Sequence, residues 1–202
     1  MAVYTKITKR DVLNIGKKFN INEIKSFKGI KKGIENTNYL LKSKRKKYIL
    51  TIFEKRVLQK DIPFFMKLMD QLNNLKINCP KPLRKKDGDY LIKVKNKTAC
   101  VVSFLYGKDK KVLNFKNCYD IGRTVADIHL NTKKINIFRN NSMNIKNLNS
   151  LLTSIKFKSN KSKNLDKFLK KNFKDIKDRW PKNLPNGIIH GDLFIDNIFF
   201  NK

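Results

Sequence analysis

Five short apolar-rich runs, separated by turn residues and charges, constrain the fold of this chain more than any other feature. In the third run, Tyr48, Leu50 and Ile52 alternate with the side chains between them, and alternation with a period of two is typical of a β-strand. The five runs are EIKSFKGI at 23–30, TNYLLKS at 37–43, KYILTIFEKR at 47–56, DYLIKVK at 89–95 and TACVVSFLY at 98–106. They predict about five strands of an antiparallel sheet.

Helix signals appear at two places among these strands. Thr8 and Asp11 have the spacing of a capping box and predict a short helix near the N terminus. Between the third and fourth runs, Asp61 can cap a second helix and Pro63 suits its first turn. The apolar stripe of that helix comprises Phe64, Phe65, Leu68, Met69, Leu72 and Leu75.

After the segment SFLYG at 103–107 the pattern changes from strands to helices. The predicted helices cover 115–131, 145–156 and 164–179. The order predicts an α+β protein with two lobes. Residues 1–107 form a sheet lobe with one helix between its strands, and residues 108–202 form a mainly helical lobe.

The net charge of +31, from 47 Lys and Arg residues against 16 Asp and Glu residues, indicates attraction to anions. A basic module that binds nucleic acid is one interpretation. We favour a bias in composition, because Lys is spread over the whole length and no helix-turn-helix, RNP, KH or zinc-finger pattern accompanies it. The same charge would still attract an anionic ligand such as a nucleotide.

A cytoplasmic protein with no membrane partner is expected. No apolar run reaches the roughly 18 residues that span a bilayer, and the start, MAVYTKITKRDVL, lacks the apolar core of a secretory signal. Cys79, Cys100 and Cys118 show no C-x-x-C spacing and are expected to be reduced and structural.

The motif HGDLFIDN at 190–197 carries the most specific chemical signal. The apolar segments at 187–189 and 198–200 predict a buried strand on each side of it. Asp192 and Asn197 have the spacing of the protein-kinase catalytic loop, H-R-D-x-x-x-x-N, with Gly in place of Arg. Phosphoryl transfer needs a carboxylate to accept or orient the proton of the attacking hydroxyl, and an amide to hold a magnesium ion. The alternative is a His–Asp turn that only stabilises the two strands.

A nucleotide-binding loop is predicted between the first two strands. The segment FKGIKKGIENTNYLL contains Gly29, Gly33, Asn36 and Asn38, and glycines let backbone amides approach phosphates without interference from a Cβ atom. An ordinary hairpin loop is the alternative interpretation.

The segment SFLYG lies where a hinge between two lobes would hold an adenine through backbone groups. Phe104 and Tyr106 are therefore candidate nucleotide contacts. Core packing of these aromatic rings, with a plain turn at Gly107, explains the same residues equally well.

Several segments together resemble the bacterial homoserine kinases of the aminoglycoside/choline kinase-like superfamily. They are HGDLFIDNIFF, GIKKGIENTNYLL, YILTIFEKR, DIPFFMKLMDQL, SFLYG and IGRTVADIH, and they match in register along essentially the whole chain. The resemblance implies a protein kinase-like fold and phosphorylation of the L-homoserine hydroxyl by ATP with Mg²⁺, giving O-phospho-L-homoserine for threonine biosynthesis. Choline, an aminoglycoside or another small alcohol is the alternative acceptor.

The resemblance also implies roles for particular residues. Asp192 would be the catalytic base, His190 would fix the loop and Asn197 would be a magnesium ligand. Residues 29–38 would form the phosphate loop.

The sequence departs from the kinase pattern in two places. Thr51 stands where protein kinases have a third-strand lysine that grips the α- and β-phosphates, and Lys42, Lys55 and Arg56 are candidate substitutes. In the family, an Ile-Asp-Phe segment after the Phe-Phe pair supplies the principal magnesium ligand, but this sequence stops at Lys202. We therefore expect a partial chain with an incomplete helical lobe, which need not be active by itself.

Overall fold

The computed structural model of the chain describes residues 3–31, 33, 35–55, 57–156 and 160–201, the side chains of 160–163 excepted. Backbone contacts group the chain into two compact units, Met1–Ile137 with Gly187–Lys202, and Phe138–Asn186. This grouping places the segment 108–137 and the HGDLFIDN motif with the sheet. The lobe boundary after residue 107 therefore stays a prediction.

The N-terminal helix α1, Lys9–Lys18, begins at the predicted capping box. The backbone N–H of Thr8 donates to Asp11 Oδ2 at 2.8 Å, and the N–H of Asp11 donates to Thr8 Oγ1 at 3.3 Å. The hydrogen bond from the Thr8 backbone is the main cause that lowers the pKa of the Asp11 carboxyl. These two bonds satisfy N–H groups that a helix start leaves without intrahelical partners.

The five predicted strands are confirmed and form one antiparallel sheet. They are β1 Ile24–Gly29, β2 Thr37–Ser43, β3 Lys47–Ile52, β4 Leu91–Val94 and β5 Lys97–Ser103. Their order across the sheet is β1-β2-β3-β5-β4, and every neighbouring pair is antiparallel. β3 therefore lies at the centre of the sheet, between β2 and β5.

The helix predicted between β3 and β4 is confirmed as α2, Ile62–Asn74, with Pro63 in its first turn. The predicted cap is wrong, because Asp61 makes no capping hydrogen bond. Its backbone is already helical, with φ −89° and ψ −18°, since it ends a 3₁₀ turn, Gln59–Asp61, that leads into α2. A capping residue normally has an extended backbone.

The alternation of the strands divides the buried residues between the two faces of the sheet. One face packs against α1, and its core includes Leu41, Leu50, Ile52 and Val101 together with Val12 and Ile15. The opposite face packs against α2, where Ile62 and Met66 contact Tyr90, Cys100 and Val102. The sheet lobe thus has apolar cover on both faces.

Three further helices match the predicted order. α3, Phe115–Thr132, starts at a capping box of Asn114 and Asn117. In the second unit, α4 covers Ile145–Ser154 and α5 covers Asn160–Asp178, so α5 begins earlier than predicted. None of the described helices has the length and apolar character needed to cross a membrane.

Candidate active site

The HGDLFIDN motif folds into a tight polar loop. Gly191 has φ +73°, in the left-handed region that favours glycine. The backbone N–H of Asp192 donates to His190 Nδ1 at 3.4 Å, and Ile195–Asn197 form a short 3₁₀ turn. These local features turn the chain so that Asp192 and Asn197 approach each other.

The carboxylate and the amide of the motif are in direct contact. Asn197 Nδ2 donates to the backbone oxygen of Asp192 at 2.9 Å and to its Oδ2 at 3.0 Å. Asp192 Oδ1 makes no hydrogen bond within the described residues. The amide therefore fixes one carboxylate oxygen and leaves the other available to accept a proton.

The buried strands predicted on both sides of this loop are wrong for the described structure. Residues 187–189 are irregular, and Ile189 is 66% exposed. Asp192 and Asn197 are exposed as well, so the loop between these two segments is not buried. An extended segment becomes a strand only when its backbone groups find a neighbouring strand, and no described strand pairs with 187–189.

After the loop, one residue pair attaches the chain to the end of the sheet lobe. Lys108 and Phe200 exchange two backbone hydrogen bonds of 3.0 Å, which form an isolated antiparallel bridge. Gly107 allows this approach, because its φ is +152° and an added Cβ would lie 3.0 Å from Phe200 O and 3.1 Å from Phe199 Cβ. The absence of a side chain at Gly107 therefore helps to place the segment that follows the loop.

Replacing Gly107 by Ala is expected to weaken this bridge. The added Cβ meets backbone and the left-handed φ becomes strained, at a cost of about 1–3 kcal/mol. Hydrogen exchange at the amides of Lys108 and Phe200 should accelerate about 5- to 150-fold. Gly122→Ala is the control, since a Cβ there meets no atom within 4 Å. Unchanged exchange at these two amides in Gly107→Ala would contradict this role.

The two glycines of the predicted phosphate loop have different structural roles. Gly33 has φ +99°, in the left-handed region that favours glycine, and open space around its Cβ position. At Gly29, an added Cβ would lie 2.8 Å from Val3 Cγ2. The missing side chain of Gly29 is thus accounted for by packing against the N-terminal segment, without invoking a phosphate.

The two asparagines of the loop bind the end of β3 and the residues that follow it. Asn38 Oδ1 accepts a hydrogen bond from Thr51 Oγ1 at 2.8 Å. Asn36 Oδ1 accepts from the backbone N–H of Glu54 at 3.3 Å. Thr51, which stands in the place of the kinase lysine, therefore binds the start of β2 through its hydroxyl and supplies no positive charge.

The candidate substitutes for that lysine are separated by the sheet register. Lys42 pairs with Lys47 near the end of β2 that is remote from the loop, about 16 Å along the strand from Thr37 at about 3.3 Å per residue. Lys42 is therefore wrongly placed for a phosphate held by the loop. Lys55 follows Glu54 directly, close to Asn36, and is exposed. Arg56 lies outside the described residues.

The aromatic rings of the predicted hinge segment face a basic cleft at the end of β3 and β5. Phe104 and Tyr106 are in edge-on contact with centroids 5.2 Å apart, and Lys47 Nζ lies 5.4 Å and 5.3 Å from the two ring centroids. The cleft has a volume of about 820 Å³, and Asp192 and Asn197 do not line it. This cleft therefore does not include the HGDLFIDN loop, and the contact of the two rings with a nucleotide stays a prediction.

No sequence pattern indicated the ion pair behind the predicted phosphate loop, in which the Glu54 side chain is 10% exposed and the Lys97 side chain is 40% exposed. Burial tends to raise the pKa of the Glu54 carboxyl, but hydrogen bonds from Lys97, Thr37 and Thr5 outweigh it and lower the pKa. Charged residues are common in this chain, and the partners of Glu54 lie 17 to 49 residues away. No local pattern could therefore have identified the pair.

The donor atoms of the loop fit a magnesium ion in part. Asn197 uses its amide nitrogen on Asp192, so its Oδ1 is a hard oxygen donor of the kind Mg²⁺ prefers. The described residues contain no group of three or more His, Cys, Asp or Glu side chains that could hold a metal. Magnesium commonly takes one or two protein oxygens and completes its shell with phosphate oxygens and water.

A five-stranded antiparallel sheet with a helix between β3 and β4, followed by an H-x-D-x-x-x-x-N loop, defines the kinase-like phosphotransferases. The model of the phosphotransferase enzyme family matches residues 26–202, which is most of the chain. The chain belongs to that family.

Homoserine kinases are among its similar relatives. The homoserine kinase of Agrobacterium fabrum is 36% identical over 201 residues, covering 99% of this chain and 62% of the relative. That of Parvibaculum lavamentivorans is 34% identical over 205 residues, covering 99% and 63%. The chain thus spans less than two thirds of the length of these relatives.

Solved structures support the predicted fold. Spectinomycin phosphotransferase, in complex with ADP and spectinomycin, has a TM-score of 0.60 at 12% identity, covering 98% of this chain and 67% of its own. A microcompartment-associated aminopropanol kinase has a TM-score of 0.52 at 15% identity, covering 67% of this chain and 46% of its own. The kinase-like α+β fold is confirmed by these neighbours.

Proposed function

We propose that this chain is part of an ATP-dependent homoserine kinase, which transfers the γ-phosphoryl group of ATP to the side-chain hydroxyl of L-homoserine. The observation that carries the phosphoryl-transfer chemistry is the hydrogen bond of 3.0 Å between Asn197 Nδ2 and Asp192 Oδ2. The acceptor is supported by relatives named homoserine kinase that are 34–36% identical over 99% of the chain. A cytoplasmic location and a role in threonine biosynthesis belong to the same proposal.

Asp192 acts on the proton of the acceptor. Its Oδ2 accepts a hydrogen bond from Asn197. Its Oδ1 therefore accepts the hydroxyl proton as the hydroxyl oxygen attacks the γ-phosphorus. The new bond joins that oxygen to phosphorus, the bond from the γ-phosphorus to the β–γ bridging oxygen breaks, and ADP leaves. Positioning and charge stabilisation supply most of the catalysis in such reactions.

Other residues hold the loop and the phosphates. The contact between the Asp192 amide and His190 Nδ1 orients the start of the catalytic loop. The backbone amide of Gly33 has no side chain of its own beside it and can approach the phosphates closely. Asn197 Oδ1 would bind magnesium, which when present neutralises charge on the β- and γ-phosphate oxygens.

A panel of acceptors tests the proposal. ADP release is measured with the product of the complete reading frame, using L-homoserine, 3-amino-1-propanol, choline and spectinomycin. 3-Amino-1-propanol is homoserine without its carboxylate. A pocket built to bind that carboxylate leaves buried polar groups unpaired when it is missing, so we expect kcat/KM to fall about 10⁴-fold.

Two results would overturn the proposal, one from the acceptor panel and one from binding measurements. Preferred turnover of choline or spectinomycin would assign the chain to another small-alcohol kinase. Absence of ATP binding, together with steeply salt-dependent binding of DNA or RNA, would favour the basic nucleic-acid module.

A further inference from the structure

A polar network of buried and partly buried side chains lies behind the predicted phosphate loop, on the face of the sheet that packs against α1. Its centre is Glu54, whose side chain is 10% exposed. Glu54 Oε1 accepts hydrogen bonds of 2.7 Å from the hydroxyls of Thr5 and Thr37. Glu54 Oε2 is paired with the ammonium group of Lys97, which also donates to Thr5 Oγ1 at 2.7 Å.

Every hydrogen-bonding position of the Thr37 hydroxyl is used. Thr37 is fully buried at the start of β2, and its Oγ1 accepts from the backbone N–H groups of Tyr4 at 2.9 Å and Thr5 at 3.1 Å. The same hydroxyl donates to Glu54. A hydroxyl has one donor and two acceptor positions, and a fully satisfied buried network of this kind rigidifies its surroundings.

The network and the segment bound to it anchor both ends of the phosphate loop. At the first end, Gly29 lies against Val3, which leaves no space for a Cβ. At the second end, Thr37 binds Glu54 through its hydroxyl, and Asn36 accepts the backbone N–H of Glu54 at 3.3 Å. The N-terminal segment therefore contacts the end of β1 and the start of β2, the two points from which the loop emerges.

We propose that Glu54 is a positioning residue for the phosphates of the bound nucleotide, acting through Thr37, Asn36 and the N-terminal segment 3–5. The proposal rests on the proposed function, because it supposes that the loop between β1 and β2 holds the nucleotide. Glu54 itself does not touch the nucleotide, since its carboxylate is occupied by Thr5, Thr37 and Lys97. Its effect is to fix the positions of the loop's two ends, and so the distance between them.

Glu54→Gln removes the charge with almost no change in shape. A glutamine amide has one oxygen and places N–H donors where the second oxygen was, so it cannot accept from two hydroxyls and one ammonium group at once. The hydrogen bonds that fix the ends of the loop should then weaken. Because a misplacement of about 1 Å can cost on the order of 10²-fold, and loss of a supporting partner typically costs 10–100-fold, we expect ATP affinity to weaken about 10- to 100-fold.

The matched control is Asp70→Asn. Asp70 is also a buried, ion-paired carboxylate of the sheet lobe, bound by Arg84 at 2.6 Å and by the Tyr90 hydroxyl at 2.7 Å. Among the described residues, its hydrogen bonds and ion pair join it to Arg84 and Tyr90 and not to the loop or to segment 3–5. Its replacement should lower the melting temperature about as much as Glu54→Gln, while leaving the loop unchanged.

Hydrogen exchange of the ligand-free chain is the first measurement, and the dissociation constant of ATP is the second. We expect Glu54→Gln to accelerate exchange at the amides of 30–38 and to weaken ATP binding, and Asp70→Asn to leave the exchange at 30–38 unchanged. Equal exchange at 30–38 in wild type and Glu54→Gln, or an equal change in Asp70→Asn, would overturn the proposal. If the wild type binds no ATP, the proposed function fails, while the exchange measurement still decides whether Glu54 holds the loop.

A second pair of variants covers the case in which Glu54→Gln does not fold. Thr5→Val removes one hydroxyl from the network, and Thr5→Ser retains it. Exchange at 30–38 should accelerate in Thr5→Val and return to the wild-type rate in Thr5→Ser. The same exchange rate in both variants would show that the network does not control the loop.

Discussion

Asp192→Asn is expected to reduce kcat of the homoserine-dependent reaction by about 10²- to 10⁴-fold, the range that a general base contributes. An amide at this position cannot accept the hydroxyl proton. The exchange of one oxygen for an N–H₂ group also changes the contact with Asn197 Nδ2, which now donates to the carboxylate at 3.0 Å. The assay measures ADP release with saturating ATP and homoserine, and circular dichroism verifies that the variant is folded.

Asp196→Asn is the control for this variant. Asp196 lies in the same loop, within the 3₁₀ turn Ile195–Asn197, and its carboxylate makes no hydrogen bond to Asp192, His190 or Asn197 in the described structure. Its neutralisation should leave kcat within about a factor of two of wild type, corresponding to less than about 0.5 kcal/mol. Measurable turnover at the wild-type rate in Asp192→Asn would remove the carboxylate from its proposed role.

Leu50→Ala is expected to lower the free energy of unfolding by about 2–5 kcal/mol. Leu50 lies in β3, the central strand, and its side chain is 0% exposed. Truncation removes apolar area from the core that joins the sheet to α1, and the neighbouring strands cannot collapse into the space without breaking their register. Urea unfolding followed by circular dichroism measures the change.

Leu13→Ala is the matched control, because Leu13 lies on α1 but is 63% exposed. Its truncation should change the free energy of unfolding by no more than about 0.5 kcal/mol. Similar losses in the two variants would indicate that β3 is not the structural centre of the lobe.

The elements that sequence reasoning predicted correctly are those with a local physical signature. The alternation in 47–56 identified β3, because successive side chains of a strand point to opposite faces of the sheet. Thr8 with Asp11 identified the start of α1, because both capping bonds lie within four residues. Asp61 failed as a cap because the 3₁₀ turn before α2 already gives it a helical backbone. That turn has no comparably clear signal in the sequence.

In the candidate site, too, local contacts were predicted correctly and contacts that depend on neighbouring strands were not. The contact between Asp192 and Asn197 spans five residues, so a motif of fixed spacing was enough to predict it. The strands expected around the loop were wrong because apolar composition at 187–189 does not create the neighbouring strand that a β-ladder requires. The position of Lys42, remote from the predicted phosphate loop, followed only from the register between β2 and β3.

By itself, the sequence determined the strands, the capped helices and the short HGDLFIDN motif, because hydrophobic period, capping and turn chemistry act between residues a few positions apart. Only the tertiary structure decided that Glu54 binds Thr5, Thr37 and Lys97 behind the predicted phosphate loop, and that Gly29 makes room for Val3. Those contacts join residues 17 to 49 positions apart, and they exist because the register of the sheet brings their backbones together, which no local pattern specifies.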